Sequence, residues 1–173
     1  MAGAEKTGVS SARADLFRDA VCVVTPTRRS NRAALKKAEW LWKSVGARVA
    51  RLAPEDHDRL VSRSSHLPHL VAATLANSVL SGAELKNQGL LCANGFRDTT
   101  RIASNSPKMW RDIAEANADQ IERALRQFIR ELQRVRGFIA NRESQRIEKL
   151  LSQAKSRRDD WLKTATRADC GQE

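Results

Sequence analysis

The chain has 173 residues, a hydrophobic fraction of 41% and a formal net charge of +11. This length allows one hydrophobic core, or one domain together with a fragment of a second. No apolar run approaches the roughly 18 residues of a membrane span, and the N-terminus lacks the apolar block of a secretory signal, so we expect a cytoplasmic protein without membrane contact. The cysteines are odd in number and widely spaced, which indicates ordinary thiols and no metal or disulfide pair: Cys22, Cys92 and Cys170.

The strong positive charge is a property of nucleic-acid binders, and it also suits a protein whose ligand is a dianion. Basic residues are spread along the chain and interleaved with acids, as in Glu122-Arg123 and Arg130-Glu131. Tyr is absent and aromatic residues make up only 5%, which leaves few platforms for stacking unpaired bases. We therefore expect solvated helix faces. A basic helical dimer that binds nucleic acid or another acidic partner is the alternative function.

The first part of the chain predicts a strand, a helix and a second strand. Ala20–Thr25 is apolar, rich in β-branched residues and followed by a proline, which predicts a buried strand. Ser30 or Asn31 is expected to cap a helix, and the alternating residues 47–52 predict the second strand. Such a unit leaves two unpaired edges and an apolar face, so it cannot close a sheet on its own.

Helices are predicted from Pro54 onward, because proline suits the first helical position. Pro68 should kink or restart this helix, since it removes a backbone donor. A polar link is expected from Gly82 to Asn94.

Two long amphipathic helices are predicted after this link. Ser106 followed by Pro107 predicts the start of the first, whose apolar residues recur at three- and four-residue steps to Ile139. The second is expected from about Arg142 to Thr166. Apolar stripes this continuous commonly bury one side on another subunit, and the spacing is not a strict heptad. We therefore expect a homodimer through these C-terminal helices, without coiled-coil register.

The stretch Gly95–Trp110 combines two arginines, an aspartate and several hydroxyls, which favours an anion site. A guanidinium fits a carboxylate bidentately, and Asp98, three residues before Arg101, could fix its orientation. The alternative is that Arg97 and Arg101 are solvated surface charges.

Two histidines, His66 and His69, stand three residues apart with a proline between them. A third metal ligand is not apparent, because His57 is nine residues upstream and no CxxC or HExxH pattern occurs, so we expect no metal. As neutral imidazoles they could donate hydrogen bonds to a substrate oxygen. The alternative is that both are buried and bonded to backbone carbonyls.

Three ordered segments of the chain resemble prephenate and arogenate dehydrogenases. The first is Gly-Phe-Arg-Asp-Thr-Thr-Arg-Ile-Ala-Ser over residues 95–104, followed by Pro-Lys-Met-Trp over 107–110. The others are Ser-His-Leu-Pro-His at 65–69 and Met-Ala-Gly-Ala-Glu-Lys-Thr-Gly at 1–8. With the helical pattern downstream, these matches span nearly the whole chain.

This resemblance implies a mainly α fold with two parts. Residues 54–173 would form an all-helical substrate-binding and dimerisation domain, similar to the C-terminal domain of 6-phosphogluconate dehydrogenase. Residues 1–53 would be the last piece of a Rossmann-like nucleotide-binding domain, because the predicted strand-helix-strand unit resembles its end.

The resemblance also implies a reaction and the residues of its site. Prephenate dehydrogenases pass hydride from the ring of prephenate to NAD or NADP while carbon dioxide leaves, which gives 4-hydroxyphenylpyruvate on the route to tyrosine. Arg101 would hold a carboxylate of the dicarboxylate substrate, prephenate or arogenate. Trp110 would approach the partner subunit's pocket, or else be a plain core residue. The other implied residues line the pocket or belong to a polar network near Arg101: Ser65, His66 and His69 in the pocket, Glu5 and Asp98 in the network.

Two parts of the family pattern are missing from this sequence. The family carries His-Pro-x-Ala-Gly, whose histidine is the general base, and here Met1-Ala2-Gly3 begins at the x. There is also no G-x-G-x-x-G dinucleotide motif. We therefore expect no catalytic residue in this chain, with the general base immediately before Met1. A late start or a split gene would explain the truncation, and the chain alone should be inactive.

Overall fold

The computed structural model describes residues 8–9, 12–82 and 85–170, and helices dominate it. None of the helices in these ranges is long and apolar enough to cross a membrane. The elements run in the following order: β1 Val21–Val24, α1 Arg32–Ser44, β2 Arg48–Arg51, α2 Pro54–Val61, a π turn Ser62–His66, α3 Leu67–Val79, α4 Leu85–Leu91, α5 Asn94–Thr100, a 3₁₀ turn Arg101–Ser104, α6 Pro107–Ala116, α7 Ala118–Ala140 and α8 Ser144–Cys170.

The predicted strand-helix-strand unit is confirmed. β1 and β2 pair in parallel, with Val21 opposite Arg48, and α1 forms the crossover between them. Asn31 caps α1, because its side chain accepts hydrogen bonds from two backbone N–H groups of the first turn. Gly46, at φ +84°, makes the turn from α1 into β2. An ion pair between Arg51 and Glu39 links β2 to α1.

The proline in the helical region is accommodated by a widened turn. α2, the π turn and α3 follow one another without a break, and the Leu67 N–H donates to the Ser62 carbonyl five residues back. Pro68 has no N–H, and its ring would crowd the carbonyl of Ser64 in a regular α-helix. The wider turn relieves this crowding, so the predicted interruption takes the form of a local π turn.

The link predicted from Gly82 to Asn94 contains a short helix, α4. The predicted polar link therefore includes a helix over Leu85–Leu91. Leu90 and Leu91 lie on this helix with 81% and 85% of their surface exposed. A helix is predicted from apolar residues that recur on one buried face. The leucines of α4 are instead exposed, so the sequence pattern did not predict this helix.

The helix predicted from Ser106 to Ile139 is divided at Asn117, so the prediction of one continuous helix was wrong. α6 ends at Ala116 and α7 begins at Ala118, with φ −124° and ψ 32° at Asn117 between them. The Asn117 side chain makes hydrogen bonds to distant residues. The break occupies a single residue, so the three- and four-residue spacing of apolar positions continues through it.

The chain forms two compact units, Met1–Leu125 and Arg126–Glu173. In the first, α3 packs against α5 and the 3₁₀ turn, and Phe17 meets Trp42 of α1 edge to face at 5.2 Å between ring centroids. Its buried residues, among those described, are few and mostly small: Ala47, Ser62, His69, Ala72, Ile121 and Ala124.

The second unit holds most of α7 together with α8. No side chain described between residues 126 and 164 is buried. Large apolar side chains on both helices are instead exposed: Ile129, Leu132, Ile139, Leu151, Trp161 and Leu162. The basic residues around them form exposed pairs with acids one turn away, such as Arg134 with Glu131, as expected for solvated helix faces.

Candidate functional site

Three aromatic rings from two helices form a ring cluster, which consists of His66, His69 and Trp110. The His69 imidazole lies flat on the Trp110 indole, with ring centroids 3.5 Å apart and planes inclined by 11°. The His66 ring meets the same indole edge-on, at 6.0 Å and 84°. Only 5% of the surface of His69 is exposed, whereas Trp110 is half-buried.

The local sequence explains how these rings reach one another. His66 ends the π turn and His69 lies in the first turn of α3, so both histidines belong to one helical segment and face the same neighbour. Trp110 sits early in α6, whose start is held by Ser106. The Ser106 hydroxyl accepts from the Met109 N–H at 3.4 Å, and its carbonyl accepts from the Trp110 N–H at 3.1 Å.

Asn117, which no sequence motif singled out, joins this cluster through its contact with His66. Its Nδ2 donates to the Asp58 carbonyl at 2.9 Å and lies 3.3 Å from Nδ1 of His66. Asn117 and His66 are 51 residues apart in the chain. No motif or spacing connects positions so distant, and the interruption of the helix at Asn117 was itself hidden by the continuing apolar pattern.

Both histidines of the cluster have a lowered pKa. Burial is the largest cause for His66, and nearby His57 lowers the pKa further while Asp58 partly opposes it. Burial alone lowers the pKa of His69. Loss of hydration disfavours the charged imidazolium, so both rings are neutral near pH 7. Neutral imidazoles can each donate one hydrogen bond and accept another.

The indole N–H of Trp110 is buried and has no hydrogen-bond partner among the described residues. A buried donor left unpaired costs about 1–3 kcal/mol, so such groups are rare in folded proteins. The ring cluster therefore contains a donor suited to an acceptor from outside the described part of the chain.

Among the residues that the structure describes, no group of three or more His, Cys, Asp or Glu side chains is arranged to hold a metal ion.

Arg101 lines a cavity of about 590 Å³. Arg97, one helical turn earlier, lines the same cavity together with Thr100, so two guanidinium groups border one concave space. The cavity also contacts Leu80, which follows the end of α3, while His69 lies near its start. Neither histidine is among the residues that line this cavity.

The remaining predicted site residues divide between these two places or lie outside them. Ser65 is half-buried in the π turn, next to His66. Asp98 is exposed on α5, between Arg97 and Arg101. Glu5 lies outside the described residues. The structure thus joins His66, His69 and Trp110 directly, and places Arg101 in a cavity of the same unit that these three rings do not line.

Two family models match this chain. The model described as prephenate dehydrogenase, dimerization domain, matches residues 53–153. The model described as prephenate dehydrogenase, nucleotide-binding domain, matches residues 1–51.

Among characterised relatives, prephenate dehydrogenase from Bacillus subtilis is 36% identical over 160 residues, which are 92% of this chain and 43% of the relative. The chain also superimposes on prephenate dehydrogenase from A. aeolicus in complex with hydroxyphenyl propionate and NAD+, with a TM-score of 0.82 and 31% identity over 91% of this chain and 56% of that one. Synechocystis arogenate dehydrogenase gives a TM-score of 0.79 and 28% identity over 92% and 59%. The chain spans about half the length of these relatives.

Proposed function

Because the dimerization-domain model matches more than half of its residues, the chain belongs to the prephenate dehydrogenase family, and we propose that it supplies the substrate-binding and dimerisation part of such an enzyme. The whole enzyme would oxidise and decarboxylate prephenate or arogenate with NAD or NADP. The observation that carries this proposal is the ring cluster, because it places two neutral imidazoles against a half-buried indole at the positions where the family motif stands.

The two places in the first unit suit the two ends of such a substrate. A guanidinium binds a carboxylate through paired, charge-assisted hydrogen bonds, and the cavity of Arg97 and Arg101 offers two guanidinium groups. The ring cluster offers a flat apolar surface with neutral donors, which suits the ring and its hydroxyl. In this proposal, Arg101 binds a carboxylate of the substrate. The substrate ring lies against His66, His69 and Trp110, next to Ser65. Asp98 and Glu5 belong to the polar network that supports Arg101.

A boundary near residue 53 divides the chain by function. Residues 1–53 would complete a nucleotide-binding domain, and residues 54–173 would bind substrate and form the dimer. The two family models, which match 1–51 and 53–153, support this division.

The described residues do not by themselves form a cradle for NAD or NADP. A dinucleotide pyrophosphate binds at a glycine-rich turn between a strand and the N-terminus of a helix. The connection from β1 to α1, residues 25–31, contains no glycine. We expect no reduction of NAD or NADP when the 173-residue chain alone is mixed with prephenate and the cofactor. The absorbance of the reduced cofactor measures this reaction. Turnover by this chain would show that it contains a complete active site.

The proposed substrate contact is tested by titrating the chain with prephenate in a calorimeter. Replacing Arg101 by alanine should weaken binding about 10- to 100-fold, because a hydrogen bond to a charged group contributes about 1.5–3 kcal/mol. Arg111→Ala is the matched control, since Arg111 is an exposed arginine of α6 paired with its neighbour Asp112. Equal affinities of the wild type and Arg101→Ala, or no binding by the wild type, would contradict the proposal.

A further inference from the structure

The orientation of the Asn117 side chain follows from a single contact. Its terminal nitrogen lies 2.9 Å from the backbone oxygen of Asp58, and that oxygen can only accept a hydrogen bond. If the amide were turned over, two acceptor oxygens would face each other. The NH₂ group of Asn117 must therefore point toward Asp58.

The same NH₂ group then determines where His66 carries its proton. Nδ1 of His66 lies 3.3 Å from Nδ2 of Asn117, and the amide nitrogen has a second hydrogen to donate but no lone pair to offer. Nδ1 must act as the acceptor. In a neutral imidazole the proton is then on Nε2, so the other edge of the ring is a hydrogen-bond donor.

We propose that Asn117 is a positioning residue, which holds His66 in the Nε2–H tautomer and so fixes a donor in the ring cluster. The chain of contacts runs from the Asp58 carbonyl in α2, through Asn117 between α6 and α7, to His66 at the end of the π turn. The role of this tautomer rests on the proposed function, in which the fixed Nε2–H of His66 would donate a hydrogen bond to an oxygen of the bound substrate. A wrong tautomer would present a lone pair to that oxygen and repel it.

The charged groups around Asn117 belong to several elements. His57 and Asp58 lie on α2 and are hydrogen-bonded to each other at 3.0 Å. Asn117 also lines a shallow cavity of about 310 Å³ together with four carboxylates, from Glu55, Asp58, Glu115 and Asp119. An aspartate at position 117 would add a fifth. A leucine there removes the donor without adding charge, so comparing the two variants separates the hydrogen bond from the electrostatic effect.

The test is the ¹⁵N NMR spectrum of the histidine rings in the 173-residue chain without ligand, recorded at about pH 8 so that the rings are neutral. The chain has only three histidines, and His66→Gln identifies the signals of His66. We expect the wild type to carry its proton on Nε2. Asn117→Asp should move the proton to Nδ1, because a carboxylate accepts where the amide donated. Asn117→Leu should give a mixture of tautomers.

Asn31→Asp is the matched control, because it makes the same chemical change at the exposed cap of α1, where aspartate caps equally well. It should leave His66 unchanged. A merely structural role of Asn117 would lower the melting temperature of its variants without moving the proton. A wild-type His66 protonated on Nδ1, or the same tautomer in wild type and Asn117→Asp, would overturn the proposal. If Asn117→Asp does not fold, the wild-type tautomer and Asn117→Leu decide.

A second arm connects the tautomer to substrate. Asn117→Leu should bind prephenate more weakly than the wild type in proportion to the share of His66 that keeps its proton on Nε2, about twofold for an equal mixture. Asn117→Asp, with the proton on Nδ1, should bind about tenfold more weakly, the factor of one lost hydrogen bond. Unchanged affinity with a changed tautomer would remove the role in substrate binding. If the wild type binds no prephenate, the proposed function fails, while the ligand-free spectra still decide whether Asn117 sets the tautomer.

Discussion

The stack of His69 on Trp110 shows how one residue controls the chemistry of another. The indole covers one face of the imidazole, and His69 is almost completely buried. Burial removes the water that would stabilise the imidazolium, which lowers the pKa of His69. At the scale of single residues, the cluster therefore keeps a titratable group neutral, and it does so by packing.

This lowered pKa predicts how stability depends on pH. An unfolded histidine binds protons at its ordinary pKa of about 6.5, whereas the folded pKa of both His66 and His69 is lower. The unfolded state thus binds more protons as the pH falls below that value, and stability decreases. We expect the melting temperature to fall between about pH 7 and pH 5. Above pH 7 these two histidines should contribute no pH dependence.

The double variant His66→Gln/His69→Gln removes both titrating rings, and His57→Gln is its control. Thermal unfolding followed by circular dichroism should show a smaller loss of stability on acidification in the double variant than in the wild type. His57→Gln should keep most of the wild-type loss. An identical pH profile in the double variant and the wild type would show that other groups cause the acid sensitivity.

The residues of the ring cluster were predicted, but their contacts were not. His66, His69 and Trp110 were proposed because they match motifs of a known family, and the structure brings these three rings together. Asn117 had no such motif. Its role depends on the backbone carbonyl of Asp58, and a backbone group leaves no trace in a sequence pattern. Tertiary contacts of this kind lie beyond what spacing can predict.

The sequence predicted where helices start better than whether they continue without a break. The proline and cap signals at Pro54, Asn31 and Ser106 all mark observed helix starts, because capping is a local interaction. The break at Asn117 and the turn before Pro68 depend on what neighbouring elements require. Periodicity reports which face of a helix is apolar, and one widened turn or one residue outside the helix barely changes it.

The cap of α6 yields a prediction, because Trp110 lies one turn after it. Replacing Ser106 by alanine removes the acceptor for the Met109 N–H and should destabilise the chain by about 0.5–1 kcal/mol. Ser106→Asp should restore the loss, since aspartate is an equally good cap. Urea unfolding followed by circular dichroism measures both variants.

Ser156→Ala is the control for this experiment, because Ser156 is an exposed serine within α8. It should change stability by less than about 0.5 kcal/mol. If Ser106→Ala proves as stable as the wild type, the start of α6 is held by packing of the elements around Trp110, and the Ser106 hydroxyl has no part in it.

In the whole molecule, the exposed apolar side chains of α7 and α8 form the surface best suited to a partner. Ile129, Leu132 and Ile139 recur along α7 at helical spacing, and each exposes at least half of its surface. Leu151 and Trp161 add exposed apolar surface on α8. Burying such surface contributes about 25 cal/mol per Å², so a second copy of the same helices would gain from covering it. The dimerization-domain model matches α7 and the first part of α8.

We therefore expect the chain to be a homodimer, and Leu132→Glu to weaken it. A carboxylate at the centre of the α7 stripe would be buried without a partner, which should raise the dissociation constant at least about 30-fold, as for a central interface residue contributing 2 kcal/mol. Gln133→Glu adds the same charge at the next position of α7, outside the stripe, and should leave the dimer intact. Light scattering after size-exclusion chromatography, over a series of concentrations, gives the mass of each variant, and circular dichroism checks that helix content is kept. A monomeric wild type would contradict the expected dimer, and equal weakening by both variants would move the interface away from the stripe, to a surface where charge alone matters.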